Sequence, residues 1–179
     1  LEYYTMIIID QHVEDECLTD YFFIEGTIDL NAEYFIEKIK LGFQEDANMA
    51  FKTNVRDLMT SYTYFNDDEE FSKVLQNFIK YIDDRMKLNK YILQDSWGYC
   101  VRTGNKTLFH THKPSIWSGV FYLNDHPQTL DFPQIKKKIK PAKGKFALFS
   151  SFLEHGCKKH KSKETKWGVS FNLSSTSMK

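Results

Sequence analysis

Three cysteines in 179 residues, Cys17, Cys100 and Cys157, are too few, too scattered and odd in number for a disulfide scaffold. Their scarcity predicts a reducing compartment, and the expected location is the cytoplasm. No Cys-x-x-Cys pair is present, which excludes the common structural zinc patterns. Net charge is also lacking: 24 Lys and Arg balance 24 Asp and Glu, so no global field draws the chain to nucleic acid or a membrane. No apolar run reaches the roughly 18–20 residues of a membrane span, and no charged-then-apolar export signal opens the chain. The first residue is Leu1 rather than Met, which suggests a fragment or a scar of expression. There is no internal repeat and no low-complexity linker. A chain of this length suits one domain with a substantial core, expected over residues 1–179.

What is present is ordinary in bulk and informative in detail. Hydrophobic residues make up 41% and charged residues 27%, as in soluble globular proteins. Aromatics reach 16%, with 15 Phe and 10 Tyr, and favour β-rich packing. Acidic residues crowd the stretch from Asp10 to Glu70, and lysines crowd Lys136 to Lys166. The lysine-rich stretch (Lys136, Lys137, Lys138, Lys140, Lys143, Lys145, then Lys158 to Lys163) reads as a solvated rim offset by the acidic half, rather than a phosphate-binding surface. His160 lies inside it and is expected to be exposed. His126, before Pro127 in a turn, reads as structural or solvent-facing.

Two segments of the first half have helical spacing. From Asn31, a plausible N-cap, Phe35, Ile36, Ile39 and Phe43 mark one face. Phe71, Val74, Leu75, Phe78, Ile79, Ile82 and Met86 form a longer stripe, opened by Asp67, Asp68, Glu69 and Glu70 at the positive end of the helix dipole. Residues 1–90 are expected to be mainly helical support, packed on one face of a sheet. From Tyr91 the texture changes to short strand-like runs: Tyr91–Leu93, Tyr99–Arg102, Leu108–His112, Ser118–Leu123, Thr129–Phe132, Lys145–Phe149 and Gly168–Leu173. Turn signals separate them, so residues 91–175 are expected to form a β-sandwich or barrel, and the class is α+β.

The chemistry-bearing pattern is a set of histidines. His110 and His112 lie two apart in Phe109-His-Thr-His, and residues i and i+2 of a strand share a face. Such a strand supplies two ligands to one metal. His155, in Leu153-Glu-His-Gly after an apolar strand, supplies a third, completing a facial triad with three open positions. Taken singly, each histidine reads more readily as a partly exposed strand or turn residue than as a ligand. Cys157 is a softer candidate ligand, better suited to zinc. Trp97 and Trp117 are candidates for the pocket wall or for the core.

The run from Trp97 to Asn124 resembles the core of phage and bacterial 2-oxoglutarate/Fe(II)-dependent oxygenases and, more distantly, of the prolyl 4-hydroxylases. Pro141 to Gly156 is similar to that family's approach to its distal histidine, and Lys166-Trp-Gly-Val-Ser-Phe-Asn to its closing strand. The resemblance covers about Trp97 to Leu173. It implies a double-stranded β-helix (jelly-roll or cupin-like), Fe(II) as cofactor, and 2-oxoglutarate and dioxygen as cosubstrates. It further implies hydroxylation of a peptidyl side chain such as proline, or of a small molecule, with decarboxylation to succinate and CO2; a viral chain would act in the host cytoplasm. By the same resemblance His110 matches the first metal ligand and His155 the distal one. Tyr122 and Lys166 match residues that bind the distal carboxylate of 2-oxoglutarate. Two departures stand out. Relatives commonly place Arg where Lys166 stands, and Asp where His112 stands. Either His112 is the third ligand or a carboxylate comes from elsewhere, with Asp131 in Thr129-Leu-Asp-Phe as the candidate. Two rivals remain: a cupin-like three-histidine metal-binding sandwich without 2-oxoglutarate, and a three-histidine dioxygenase that takes no cosubstrate.

Overall fold

Each helix begins where its cap dictates. Asn31 Oδ1 accepts the Tyr34 amide at 3.2 Å and starts α1 (Ala32–Glu45), and Asp68 Oδ1 accepts the Phe71 amide at 2.9 Å and starts α2 (Glu69–Met86). The computed structural model describes residues 8–12, 21–45, 52–86 and 91–175. The stripe Phe71, Val74, Leu75 and Phe78 is buried, as its spacing predicts; the side chains of Ile82 and Met86 lie outside the described residues.

Among the described residues twelve strands follow in order: β1 (Ile8–His12), β2 (Tyr21–Thr27), β3 (Val55–Arg56), β4 (Leu58–Met59), β5 (Tyr91–Val101), β6 (Lys106–His110), β7 (Trp117–Tyr122), β8 (Leu130–Phe132), β9 (Lys137–Ile139), β10 (Lys145–Ser150), β11 (His155–Cys157) and β12 (Lys166–Ser175). They form a seven-stranded sheet, β1-β2-β10-β7-β12-β5-β4, and a five-stranded sheet, β3-β6-β11-β8-β9. Every pairing is antiparallel. This is the antiparallel jelly-roll sandwich that the sequence predicts.

The larger sheet is covered on both faces. On one, α1 and α2 bury Phe35, Ile39, Phe71 and Phe78 against Phe121, Phe146 and Phe171. Phe78 sits 5.4 Å from Phe121 and 4.8 Å from Phe146, both edge-on; burying one such side chain is worth about 2–3 kcal/mol. Gly98 admits α1 to the sheet, because a Cβ there would lie 2.2 Å from Ile39 Cγ1. On the other face, Phe23, Tyr99, Val120, Tyr122 and Phe149 meet Val55, Leu130, Phe132, Ile139 and Cys157 of the smaller sheet. That second layer is the interior of the β-helix.

The first half adds strands to its helical support. It contributes β1 to β4 as well as the two helices. Tyr21-Phe-Phe-Ile is a short apolar run buried on both sides, which lacks the alternation of a one-faced strand. The two runs Tyr91–Leu93 and Tyr99–Arg102 are joined in a single eleven-residue strand. The lysine-rich rim is solvated and tied to the acidic half, with Lys143 Nζ 2.8 Å from Glu33 and Lys145 Nζ 3.0 Å from Glu25. Cys100 and Cys157 are free and buried; Cys17 lies outside the described residues. Among the described residues no helix is long and apolar enough to cross a membrane.

Candidate metal centre

β6 and β11 are hydrogen-bonded neighbours, and their register sets His155 directly opposite His110. His112 lies just past the end of β6, where its backbone amide donates to Ser151 O at 2.9 Å. The structure thus gathers three imidazoles from two chain segments. Ring centroids are 4.7 Å apart for His110 and His112, 4.6 Å for His110 and His155, and 5.1 Å for His112 and His155. One ligand atom from each lies within 4.8 Å of the others, and no other such cluster occurs among the described residues.

The ring orientations are fixed by the backbone. His110 Nδ1 donates to Leu108 O at 2.7 Å, and His155 Nδ1 to Leu153 O at 2.8 Å. With the proton on Nδ1, each Nε2 presents a lone pair, the arrangement by which outer partners prepare histidines for a metal. His110 Nε2 and His112 Nε2 approach to 3.2 Å. Two nitrogens each about 2.1 Å from one ion at a right angle stand about 3.0 Å apart, so this edge already suits an octahedral face.

The electrostatics agree with neutral donors. Burial pushes all three imidazoles below the ordinary histidine range. His112 falls to about 3, through burial and then the neighbouring charge of His110, while His155 also feels both partners. The surroundings are apolar: Phe149 lies edge-on to His155 at 4.6 Å, Phe132 stacks at 5.6 Å, and Trp97 tilts over His112 at 5.6 Å. The chamber is walled by Val55, Val120 and Leu130, with Thr107, Ser118 and Cys157 as its polar points. The donor set, its tautomers and its burial all fit a divalent transition metal.

Tyr122 and Lys166 lie in the same interior, 0% and 1% exposed. Lys166 is the first residue of β12, pairs with Val101 across the sheet, and donates from Nζ to Cys157 Sγ at 3.1 Å. Burial raises the Tyr122 phenol well above its usual range, with Tyr99 and Cys157 adding to the shift. Tyr99 is a residue that sequence reading passed over: it lines the chamber, and its hydroxyl lies over Gly168. The signal was there, since Tyr99 follows Trp97 by two on the inward face of one strand.

Asp131 is placed elsewhere. Its neighbours Leu130 and Phe132 point inward, so alternation turns Asp131 to the outer face of the smaller sheet. There it accepts from Thr129 Oγ1 at 2.5 Å and faces Lys138 Nζ at 3.8 Å. His160 also differs from expectation, being 9% exposed with its ring 4.6 Å from His126. Trp97 lines the chamber, whereas Trp117 packs on the helical side against Phe22 and Tyr91.

No protein-family model matches the sequence, and no curated protein is similar to it at a meaningful level. Solved structures do match. The viral collagen prolyl hydroxylase vCPH of Paramecium bursaria Chlorella virus-1, in complex with 2-oxoglutarate, superposes with a TM-score of 0.63 at 17% identity, over 84% of this chain and 94% of that one. A prolyl-4-hydroxylase of Pseudomonas putida gives 0.60 at 14% identity, over 86% and 92%. The non-haem α-ketoglutarate-dependent carbocyclase SnoK, from nogalamycin biosynthesis, gives 0.68 at 10% identity, over 84% and 78%. At such identities the likeness is one of fold: this chain has the double-stranded β-helix of the prolyl hydroxylases and other 2-oxoglutarate/Fe(II) oxygenases, with three histidines gathered in its interior.

Proposed function

We propose that this protein is an Fe(II)- and 2-oxoglutarate-dependent oxygenase in which His110, His112 and His155 hold the metal. The observation that carries the reading is the convergence of three imidazoles, two of them held in one tautomer by backbone carbonyls, on one point of an apolar interior that also buries Lys166 and Tyr122. Iron, 2-oxoglutarate and dioxygen together supply an oxidant that hydroxylates a substrate C–H bond while the keto acid is converted to succinate and CO2.

The remaining work belongs to the chain. The carbonyls of Leu108 and Leu153 keep the Nε2 lone pairs of His110 and His155 turned to the metal. Lys166 and the Tyr122 hydroxyl take the distal carboxylate of the cosubstrate, Lys166 exchanging its contact with Cys157 for a charge-assisted hydrogen bond. Phe132, Phe149 and Trp97 exclude water from the ligand rings. Three neutral donors leave the ion its full double charge, which favours a dianionic chelating acid. The same all-imidazole set also suits the second reading, a metal-binding sandwich that uses no 2-oxoglutarate. The substrate is a peptidyl side chain, with proline the precedent among the structural neighbours, or a small molecule, and the site lies in a soluble cytoplasmic protein.

The test is anaerobic titration of 2-oxoglutarate with and without Fe(II), followed by the weak metal-to-ligand absorption band. A band that needs both components is expected, together with its loss in Lys166→Glu while metal stays bound. Metal binding without a band would favour the second reading. Unchanged metal content in His155→Ala would refute the triad.

A further inference from the structure

Alternation along β5 is broken once, next to the chamber. β5 and β12 pair Leu93 with Leu173 and then Asp95 with Asn172, so Gln94 is an extra residue in the ladder. Before it, Tyr91 and Leu93 pack toward the helices. After it, Trp97 and Tyr99 point into the β-helix interior, and Asp95 shares their face. A bulge of this kind re-aims a side chain. Here it turns a carboxylate to the metal side of the sheet.

Among the described residues that carboxylate is held by neutral donors. Asp95 Oδ1 accepts from Asn172 Nδ2 at 2.6 Å, and Asn172 Oδ1 accepts from Ser118 Oγ at 2.6 Å. Ser118 lines the same chamber as the three histidines. No lysine, arginine or histidine pairs with Asp95 among the described residues, and partial burial raises its pKa. Tyr62 lies close by, its carbonyl accepting from the amide of Ser96 at 2.8 Å, and the charge of Asp95 adds to burial in raising the Tyr62 phenol. Tyr62 is 45% exposed and stands edge-on to Trp97 at 5.5 Å, and Trp97 leads on to His112. An uncompensated, half-buried carboxylate beside two aromatic rings is the chemistry that receives an alkylammonium or guanidinium group.

We propose that Asp95, with Tyr62 and Trp97, is the substrate-recognition site of this centre and selects a substrate bearing a positively charged amine or guanidine. The assignment rests on the triad being the reaction centre. Asn172 and Ser118 are positioning residues, holding the carboxylate from the chamber wall. The substrate's cation replaces the missing partner of Asp95, and its apolar stem passes Trp97 toward the histidines.

The test uses two probes of nearly equal size, Nα-acetyl-lysine N-methylamide and its uncharged norleucine counterpart. Both are titrated by NMR into the full chain, and bound metal and 2-oxoglutarate are measured on the same preparations. A charged hydrogen-bonded partner should make the lysine probe bind about tenfold or more tightly than norleucine. Asp95→Asn, which keeps the size and the Asn172 contact, should bring lysine down to the norleucine level with metal content unchanged. A merely structural Asp95 would leave the ratio of the two probes alone. Equal binding of the probes, binding of neither, or a lysine preference that survives Asp95→Asn would overturn the proposal. Metal and 2-oxoglutarate binding without lysine preference would leave the oxygenase reading standing and this one refuted. Lysine preference without metal binding would leave a cation site at Asp95 but overturn its assignment to a reaction centre.

Discussion

Replacing Gly156 by Ala tests whether the spacing of β6 and β11 controls the histidine cluster. A Cβ at Gly156 would meet Phe109 N at 2.9 Å, Phe109 Cα at 3.0 Å and Phe109 Cγ at 3.0 Å. Two of these are backbone atoms, which cannot swing aside as a side-chain tip can. Ordinary contact begins near 3.4 Å, so the strands must part by about half an ångström, an overpacking cost of about 2 kcal/mol. The neighbours of the clash are His155, next in sequence to Gly156, and His110, next to Phe109 and paired with His155. The strain therefore falls on the two ligands the substitution never touches, and sites of this kind tolerate only about 0.5 Å of displacement. Thermal unfolding of Gly156→Ala should occur about 4–8 °C lower, and its affinity for Fe(II) or Ni(II), read by competition with a chromophoric chelator, should fall about tenfold. A variant that melts within a degree of the parent and binds metal equally well would show that this spacing does not position the histidines.

Three further outcomes are expected. The metal-free protein should be most stable above pH 6.5 and weaken below it, because the unfolded histidines take up protons that the buried ones, with lowered pKa values, refuse; His112 alone, at about 3, costs ~2 kcal/mol by pH 5. A urea midpoint that does not move between pH 7.5 and 5, or moves equally in His112→Asn, would contradict this. Asp131→Ala should keep metal stoichiometry by mass spectrometry whereas His112→Ala loses it, and the opposite pattern would restore the carboxylate as ligand. Asp57 is 0% exposed and accepts from Arg102 N at 2.6 Å, Arg102 Nε at 2.8 Å and Asn105 Nδ2 at 2.7 Å, so Asp57→Ala should lower the unfolding free energy by about 2–3 kcal/mol with metal content unaltered.

The parts of the fold legible in the sequence were those with a period or a cap. The cap at Asn31, the stripe from Phe71 to Phe78 and the acidic run that opens it placed both helices. The alternating runs from Tyr91 placed most of the larger sheet. What escaped had its pattern overwritten. The polar Gln94-Asp95-Ser96 hid the continuity of β5, because a bulge and a functional carboxylate occupy its middle. β9 is Lys137-Lys-Ile, and β11 is His155-Gly-Cys; three residues are too short for any period to register, so only pairing partners reveal them. His160 was expected in solvent because lysines surround it, yet chain direction alone does not say which side chain of a basic run turns inward. For the site, the spacing of His110 and His112 and the order of the motifs were enough to nominate the triad. Asp131 could be set aside only once the inward packing of Leu130 and Phe132 fixed its direction.

The two sheets are unequal partners. The larger holds the long strands β5 and β12 and is backed by both helices, while the smaller is assembled from strands of two to five residues with a register shift between His155 and Cys157. Local opening should therefore begin in the smaller sheet, well below the free energy of global unfolding. An ion held between His110, His112 and His155 ties together segments more than forty residues apart and closes that weak layer. Amide exchange in β6, β8 and β11 would then slow on metal addition while β7 and β12 stay protected throughout, making the smaller sheet a reporter of whether the centre is loaded.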